Sequence, residues 1–196
     1  MLHDMLTREI GRSGIGASVV GLGTWAIGGW MWGGTNEADS IDAIKASIDE
    51  GVSLIDSAPA YGQGLAEQIV GKAIKGQRNG VVLATKCGLV WHVQKGHHFF
   101  NYDSGPVHRY LGKESIVFEV EQSLTRLGTD YIDLYISHWQ DATTPIAETM
   151  EALEGLKKQG KIRAIGASNV SAEDLKGYLA ADQLHAIQVE YSMVKR

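Results

Sequence analysis

This chain reads as an α/β protein on a parallel (β/α)8 barrel plan, and three observations carry that reading. Strand-like and helix-like segments alternate along most of the 196 residues, which calls for parallel strands joined by crossover helices. Asp56, Tyr61, Lys86 and His138 each stand where a strand-like run gives out, in VSLIDSAPAYG (52–62), VVLATKCG (81–88) and YIDLYISHWQ (131–140). Period-two alternation puts Leu54 and Val52 on the face of Asp56, Ala84 and Val82 on that of Lys86, and Ile136, Leu134 and Ile132 on that of His138. Unlike functional groups converging from successive strand ends are the layout of a parallel-barrel active site.

The elements follow in order. Two strand-like pieces, around 5–10 and 15–19, flank GRSG and suggest a small hairpin. VVGLGTW (19–25) is a strand. The next segment, 39–51, is a helix with Ile41, Ile44 and Ile48 on one side and Gly51 as its stop. SLIDSA (53–58) is a strand and 66–76 a helix. VVLATK (81–86) is a strand, followed by an irregular stretch over 89–111, read as a surface loop over the barrel mouth. A helix spans 113–127, with Ile116, Val120, Leu124 and Leu127 at helical spacing.

YIDLYIS (131–137) is the next strand. Thr144 precedes a helix whose first position is Pro145, where a missing N–H does no harm, and Gly160 ends it. RAIGAS (163–168) is a strand, Ser171 with Asp174 resembles a capping box for a helix over 172–180, and HAIQVEY (185–191) is the last strand. No composition shift or linker divides the chain, so residues 1–196 read as one domain.

Composition narrows the partners. With 44 % hydrophobic residues the chain can bury a substantial core. A net charge of −5 argues against a nucleic-acid or membrane-surface partner. The single cysteine, Cys87, excludes an internal disulfide and fits a reducing compartment. No apolar run reaches the roughly 18 residues of a membrane span, and the N-terminus lacks the marks of a signal or transit peptide. The expectation is a cytoplasmic protein of unassigned oligomeric state. The histidines of 89–111 lack the rigid spacing of a metal site, so no metal is expected. Trp30, Trp32, Trp91 and Trp139 fall after strands and suggest an aromatic pocket wall.

An open doubly wound sheet is the rival architecture, and GLGTWA (21–26) matches its dinucleotide-binding fingerprint. A true fingerprint opens into a helix whose N-terminus holds pyrophosphate. Here IGGWMWGG follows, with glycines that would each cost about 1 kcal/mol inside a helix. A glycine-rich loop after a barrel strand explains the spacing better.

The four strand-end groups suit proton donation. A phenol titrates near 10, and a neighbouring ammonium stabilises its phenolate. Lys86 can supply that charge, Asp56 can hold the lysine, and His138 can orient a substrate oxygen. Together they would protonate a carbonyl oxygen as its carbon receives hydride. Each residue alone has a structural alternative: a cap, a solvated lysine, a turn tyrosine, a core histidine. Their joint placement is the argument.

At this point the sequence resembles a known family. Asp56-Ser-Ala-x-x-Tyr61-Gly with Glu67 and Gly71, the lysine ending the third strand, DLYxxHW ending at His138-Trp139, GKIRAIGASNV (160–170), GLGTW and IQVEY are similar to the aldo-keto reductases. Within that family the bacterial, channel-β-subunit-like branch is nearest. The resemblance implies a (β/α)8 barrel plugged by an N-terminal hairpin, NADP(H) or less often NAD(H) as cofactor, and a small-molecule carbonyl substrate. It implies Tyr61 as general acid/base assisted by Asp56 and Lys86, with His138 orienting the carbonyl. It further implies that Ser168, Asn169 and Gln188 hold the nicotinamide carboxamide, and that Gly23, Thr24, Trp25 and Asp56 line the cofactor cleft. The family pattern continues past Arg196 with two more strands and closing helices. The expectation is therefore a barrel truncated after its sixth strand, with open edges and weak NADPH binding. Other readings stay open: a non-catalytic cofactor-binding or interaction module or an inactive fragment, and a Schiff-base aldolase using Lys86.

Overall fold

The computed structural model describes residues 5–181 and 183–194. A hairpin comes first, β1 (Thr7–Glu9) against β2 (Gly16–Ser18). The alternating part begins with β3 (Gly21–Gly23), α1 (Glu37–Asp49), β4 (Leu54–Asp56), α2 (Leu65–Ala73) and β5 (Val82–Cys87). An excursion of β6 (Leu89–Val90), β7 (His97–Tyr102) and β8 (Gly105–Arg109) precedes α3 (Lys113–Leu127). The remainder is β9 (Ile132–Ser137), α4 (Ile146–Lys158), β10 (Ile162–Ser168), α5 (Ala172–Ala181) and β11 (Ala186–Gln188). Six strands form one sheet in the order β11-β10-β9-β5-β4-β3, every neighbouring pair parallel. Sequential parallel order curled over a plug is the barrel arrangement, whereas a doubly wound sheet would reverse its order at a switch point.

Alternation along the strands builds two cores. Ile55, Leu83, Tyr135 and Ile165 face outward and pack against Ile44, Ile69, Val70, Ile116, Val120 and Leu153 of the helices. Each such side chain, fully removed from water, contributes about 2 kcal/mol. The inner face carries Val82, Ala84, Leu134, Ile136 and Ala164, and on it lie Ile15 and Ala17 of the hairpin. The hairpin is therefore a plug, fastened to β4 by reciprocal Ser18–Ser53 hydrogen bonds of 2.9 Å. Ile132 departs from the expected inner face and joins the outer cluster. It enters β9 at the sheet's lower rim, where its backbone N–H donates to the Lys161 carbonyl.

Local chemistry explains the boundaries. α1 starts two residues before the expected Asp39 because the Asn36 side chain accepts from the Ala38 and Asp39 N–H groups, an N-cap. The Ser171–Asp174 capping box is present in both directions, at 3.0 and 3.1 Å. Pro145 does not open α4 as its first helical residue: its ψ of 134° is extended, so it is the capping residue. The stretch 89–111 is not an irregular loop but an antiparallel sheet in the order β6-β8-β7, with Phe100 paired to Val107. Its aromatic and β-branched residues find cross-strand partners that compensate the order imposed on them. The last strand is shorter than HAIQVEY: β10 ends at Ser168 opposite Gln188, and Val189 to Tyr191 lie past that pairing and are exposed. Among the described residues no helix is long and apolar enough to cross a membrane.

Candidate active site

The C-terminal ends of the parallel strands collect the polar groups. β4 ends at Asp56 and β5 carries Lys86 next to its last residue, both on the inner face, one rung above the plugged core. Lys86 is 1 % exposed, and its Nζ donates to Asp56 Oδ1 at 2.8 Å, to the Ser57 carbonyl at 2.9 Å and to the Tyr61 hydroxyl oxygen at 3.2 Å. Three acceptors match the three hydrogens of an ammonium. Tyr61 lies in the turn leading to α2, and its position depends on close backbone contact. A Cβ on Gly28 would fall 2.5 Å from the Tyr61 carbonyl carbon, and one on Gly62 would fall 2.2 Å from the Gly28 carbonyl oxygen.

His138 follows β9 and is tied down by its N–H donating to the Cys87 carbonyl at 2.9 Å. Its ring meets that of Tyr61 edge-on, centroids 5.9 Å apart. The ring keeps part of its surface open, yet crowding by protein, and secondarily the Lys86 charge, hold its pKa well below 6.5. It is a neutral imidazole with one N–H to offer.

A second set of groups sits at the ends of β10 and β11. Asn169, at φ 53°, donates from Nδ2 to the His138 carbonyl (2.9 Å) and to Ser168 Oγ (3.0 Å), while Gln188 Nε2 donates to Asp56 Oδ2 at 3.1 Å. Gly23 pairs with Asp56 across the sheet and is exposed. Thr24 is different: it is fully buried, and both its N–H and its hydroxyl donate to the Asp56 carbonyl at 2.9 and 3.0 Å. It braces the strand end. After Trp25 the fingerprint-like segment makes a single 3-10 turn, Ala26–Gly28, not a long helix.

A cavity of about 350 Å³ opens beside Tyr61 and His138, walled by Trp25, Trp30, Phe99, Phe100 and Trp139. Of the tryptophans expected in the wall, Trp30 and Trp139 are there. Trp32 instead packs edge-on against Trp25 and is exposed, and Trp91 packs on Tyr102 beneath the excursion. Cys87 points to the outer core, where burial and the nearby Glu119 carboxyl push its thiol well above 9, so it is an unreactive packing group.

Sequence reasoning missed two sets of residues. The loop reading of 89–111 hides Phe99 and Phe100, although the aromatic residues of HHFFNY (97–102) are of the kind that strands favour. The link from Tyr178, whose hydroxyl donates to Gln140 Oε1 (2.7 Å) and can accept from the Ser137 hydroxyl (2.9 Å), through Gln140 Nε2 to the Ser168 carbonyl (3.0 Å), joins distant segments. No local pattern announces it.

A parallel barrel sheet with an acid, a lysine and an imidazole at the ends of β4, β5 and β9, and a phenol in the turn after β4, belongs to the class of barrel proteins that gather their polar site at the C-terminal strand ends. The model of the Aldo/keto reductase family matches residues 19–196. The chain belongs to that family. It is 52 % identical over 166 residues to the aldo-keto reductase YhdN of Bacillus subtilis, a match covering 84 % of this chain and 47 % of the relative. It is 48 % identical over 160 residues to the NADH-specific methylglyoxal reductase of Escherichia coli, covering 80 % and 49 %. Among solved structures, the glycerol dehydrogenase of Gluconobacter oxydans superposes with a TM-score of 0.85 at 42 % identity, covering 97 % of this chain and 56 % of that one. The chain thus spans about half the length of the curated relatives it matches.

Proposed function

We propose that this chain, as part of a single domain over 1–196, carries the proton-donating centre of an NADP(H)- or NAD(H)-dependent reductase of aldehydes or ketones. The observation that carries the reading is the Lys86 ammonium, buried and 3.2 Å from the Tyr61 hydroxyl. A substrate carbonyl entering the aromatic cavity meets the Tyr61 O–H and the His138 N–H together. His138, neutral, donates a hydrogen bond that fixes the carbonyl oxygen. Tyr61 transfers its proton to that oxygen as negative charge develops on it, and the phenolate left behind faces the Lys86 ammonium. Asp56 keeps Lys86 in place.

The cofactor, when bound, supplies the hydride. The residues present fit its carboxamide end: Ser168, Asn169 and Gln188 bring hydroxyl and amide groups, donors and acceptors both, to adjacent strand ends beside Asp56. Gly23 and Trp25 flank the same cleft. NAD(H) stands beside NADP(H) because a relative at 48 % identity bears the name NADH-specific. The Schiff-base alternative is disfavoured, because Lys86 is engaged by three acceptors and an amine nucleophile needs a free lone pair. Borohydride trapping with substrate should leave Lys86 unmodified.

Tyr61→Phe is the test. Carbonyl-dependent oxidation of NAD(P)H should fall about 10²–10⁴-fold, while cofactor affinity, read by fluorescence titration, stays unchanged. Undiminished turnover in the variant overturns the assignment, as a pure binding module would show no turnover in either protein.

A further inference from the structure

The excursion between β5 and α3 meets the strand-end wall through one cation. Arg109, the last residue of β8, is paired through its backbone with both neighbours of the small sheet, Leu89 and His97. Its guanidinium carbon lies 3.8 Å from the Phe99 ring centroid and 4.5 Å from that of Trp139. The two rings themselves stand 5.1 Å apart. Both line the cavity beside His138, whereas Arg109 does not, so the guanidinium backs the wall from behind. Its Nε is buried and has no hydrogen-bond acceptor, and no ion pair engages it among the described residues. An arginine held without a carboxylate is left with the aromatic faces as its stabilising contacts. Such contacts strengthen as water is excluded.

We propose that Arg109 is a positioning residue that pins Phe99 to Trp139 and thereby sets a preference for planar, uncharged aromatic carbonyls. The proposal rests on the reductase reading of Tyr61 and His138 and names the substrate class for that site. Among the described residues no charged side chain lines the cavity, which offers aromatic faces, Leu89 and Ala60, and a few polar tips beside the reacting oxygen. A cavity near 150 Å³ accepts one benzene ring, so 350 Å³ has room for a fused two-ring aldehyde. His138, although next to Trp139 in sequence, is held separately by its N–H on the Cys87 carbonyl. A wall that drifts therefore loosens the seat of a large ring while a short aldehyde, held by the two proton donors alone, is unaffected.

The experiment compares Arg109→Met, which keeps the stem and removes the cation, with Arg109→Lys, which restores a positive charge. With 2-naphthaldehyde the Met variant should raise KM about tenfold with kcat within twofold, and the Lys variant should recover part of that loss. Propanal constants should move less than twofold. Equal losses on both aldehydes, or none on either, overturn the proposal. Phe99→Leu should reproduce the Met variant's shift and serves if Arg109→Met does not fold. If the unsubstituted protein reduces neither aldehyde, the reductase reading fails. The positioning role is then judged by quenching of tryptophan emission, where the naphthaldehyde dissociation constant should still rise about tenfold in Arg109→Met, and an unchanged constant overturns it.

Discussion

The Lys86 ammonium and the Tyr61 hydroxyl are 3.2 Å apart inside a site from which water has been nearly excluded around the lysine. That contact survives because Asp56 neutralises the charge at 2.8 Å. Removing one partner of a buried ion pair leaves the other uncompensated, which typically costs about 3–5 kcal/mol. Asp56 keeps a fifth of its side chain exposed, so Asp56→Asn should sit near the low end, about 3 kcal/mol. Urea denaturation at pH 7 measures it. A loss below about 0.5 kcal/mol, the level of an exposed pair, would show that Lys86 does not depend on this partner.

His138 makes stability fall in acid. A base whose folded pKa is depressed binds fewer protons folded than unfolded. Its contribution is complete above 6.5 and is lost as pH drops toward the folded value. The limiting slope is about 1.4 kcal/mol per pH unit. His138→Gln should remove that slope below 6.5, and the ring resonances of His138 should not titrate between pH 8 and 6.5. A ring that titrates near 6.5 contradicts the crowding described here.

Glu119 acts with the opposite sign. Burial raises its pKa from 4.5 to about 8, against partial relief from the Gly88 N–H, Ser115 and Arg126. An acid raised in the folded state holds a proton that the unfolded chain has released. Its contribution is complete below about 4.5 and is lost as pH climbs toward 8. Below 6.5 the slopes from His138 and Glu119 oppose until His138 reaches its folded value, and above 6.5 only that of Glu119 remains of the two. Glu119→Gln keeps an acceptor for the Gly88 N–H, 2.9 Å away, and should flatten the stability curve between pH 6.5 and 8. Denaturation midpoints at pH 6.5 and 8 provide the comparison, and an undiminished difference in the variant excludes Glu119 as its source.

Much of this was legible in the residues because the signals were periodic. The inner faces of β4, β5 and β9 followed from alternation, and Asp56, Lys86 and His138 lay one step beyond each apolar face. The capping box at Ser171 was local and therefore readable. What stayed hidden depends on contacts between distant segments. Glu67 was visible only as part of a motif. In the fold it is fully buried, accepting from Thr85 Oγ1 and Arg126 Nε at 2.6 Å each and tying α2 to β5 and α3. Thr24 entered only through the family resemblance, and sequence cannot tell that its hydroxyl donates to the Asp56 carbonyl. The small sheet over 89–111 escaped because its pairing skips a residue between His98 and Phe100, which breaks strict alternation.

The approach of Gly28 to Tyr61 supplies the last prediction, because it separates placement of the phenol from its chemistry. Gly28 is buried and caps nothing by left-handed geometry; the constraint is space alone, since an added methyl would overlap Tyr61 backbone atoms at 2.5 and 2.8 Å. Backbone cannot swing aside as a flexible side chain can, so Gly28→Ala must push the 59–62 turn away from the 3-10 turn that holds Trp25. Overpacking of this kind typically costs about 1–3 kcal/mol. Turnover should suffer more than folding, because a displacement of about 1 Å at a reacting group can cost about 10²-fold in rate. The Lys86–Tyr61 contact would lengthen while the Lys86–Asp56 pair, anchored on strands, stays put. Gly28→Ala should therefore retain cofactor binding and most of its stability yet lose about 10²-fold in kcat. A variant with unchanged kcat would mean that the turn tolerates displacement and that Tyr61 is positioned from its other side, by its contacts with Lys86 and His138.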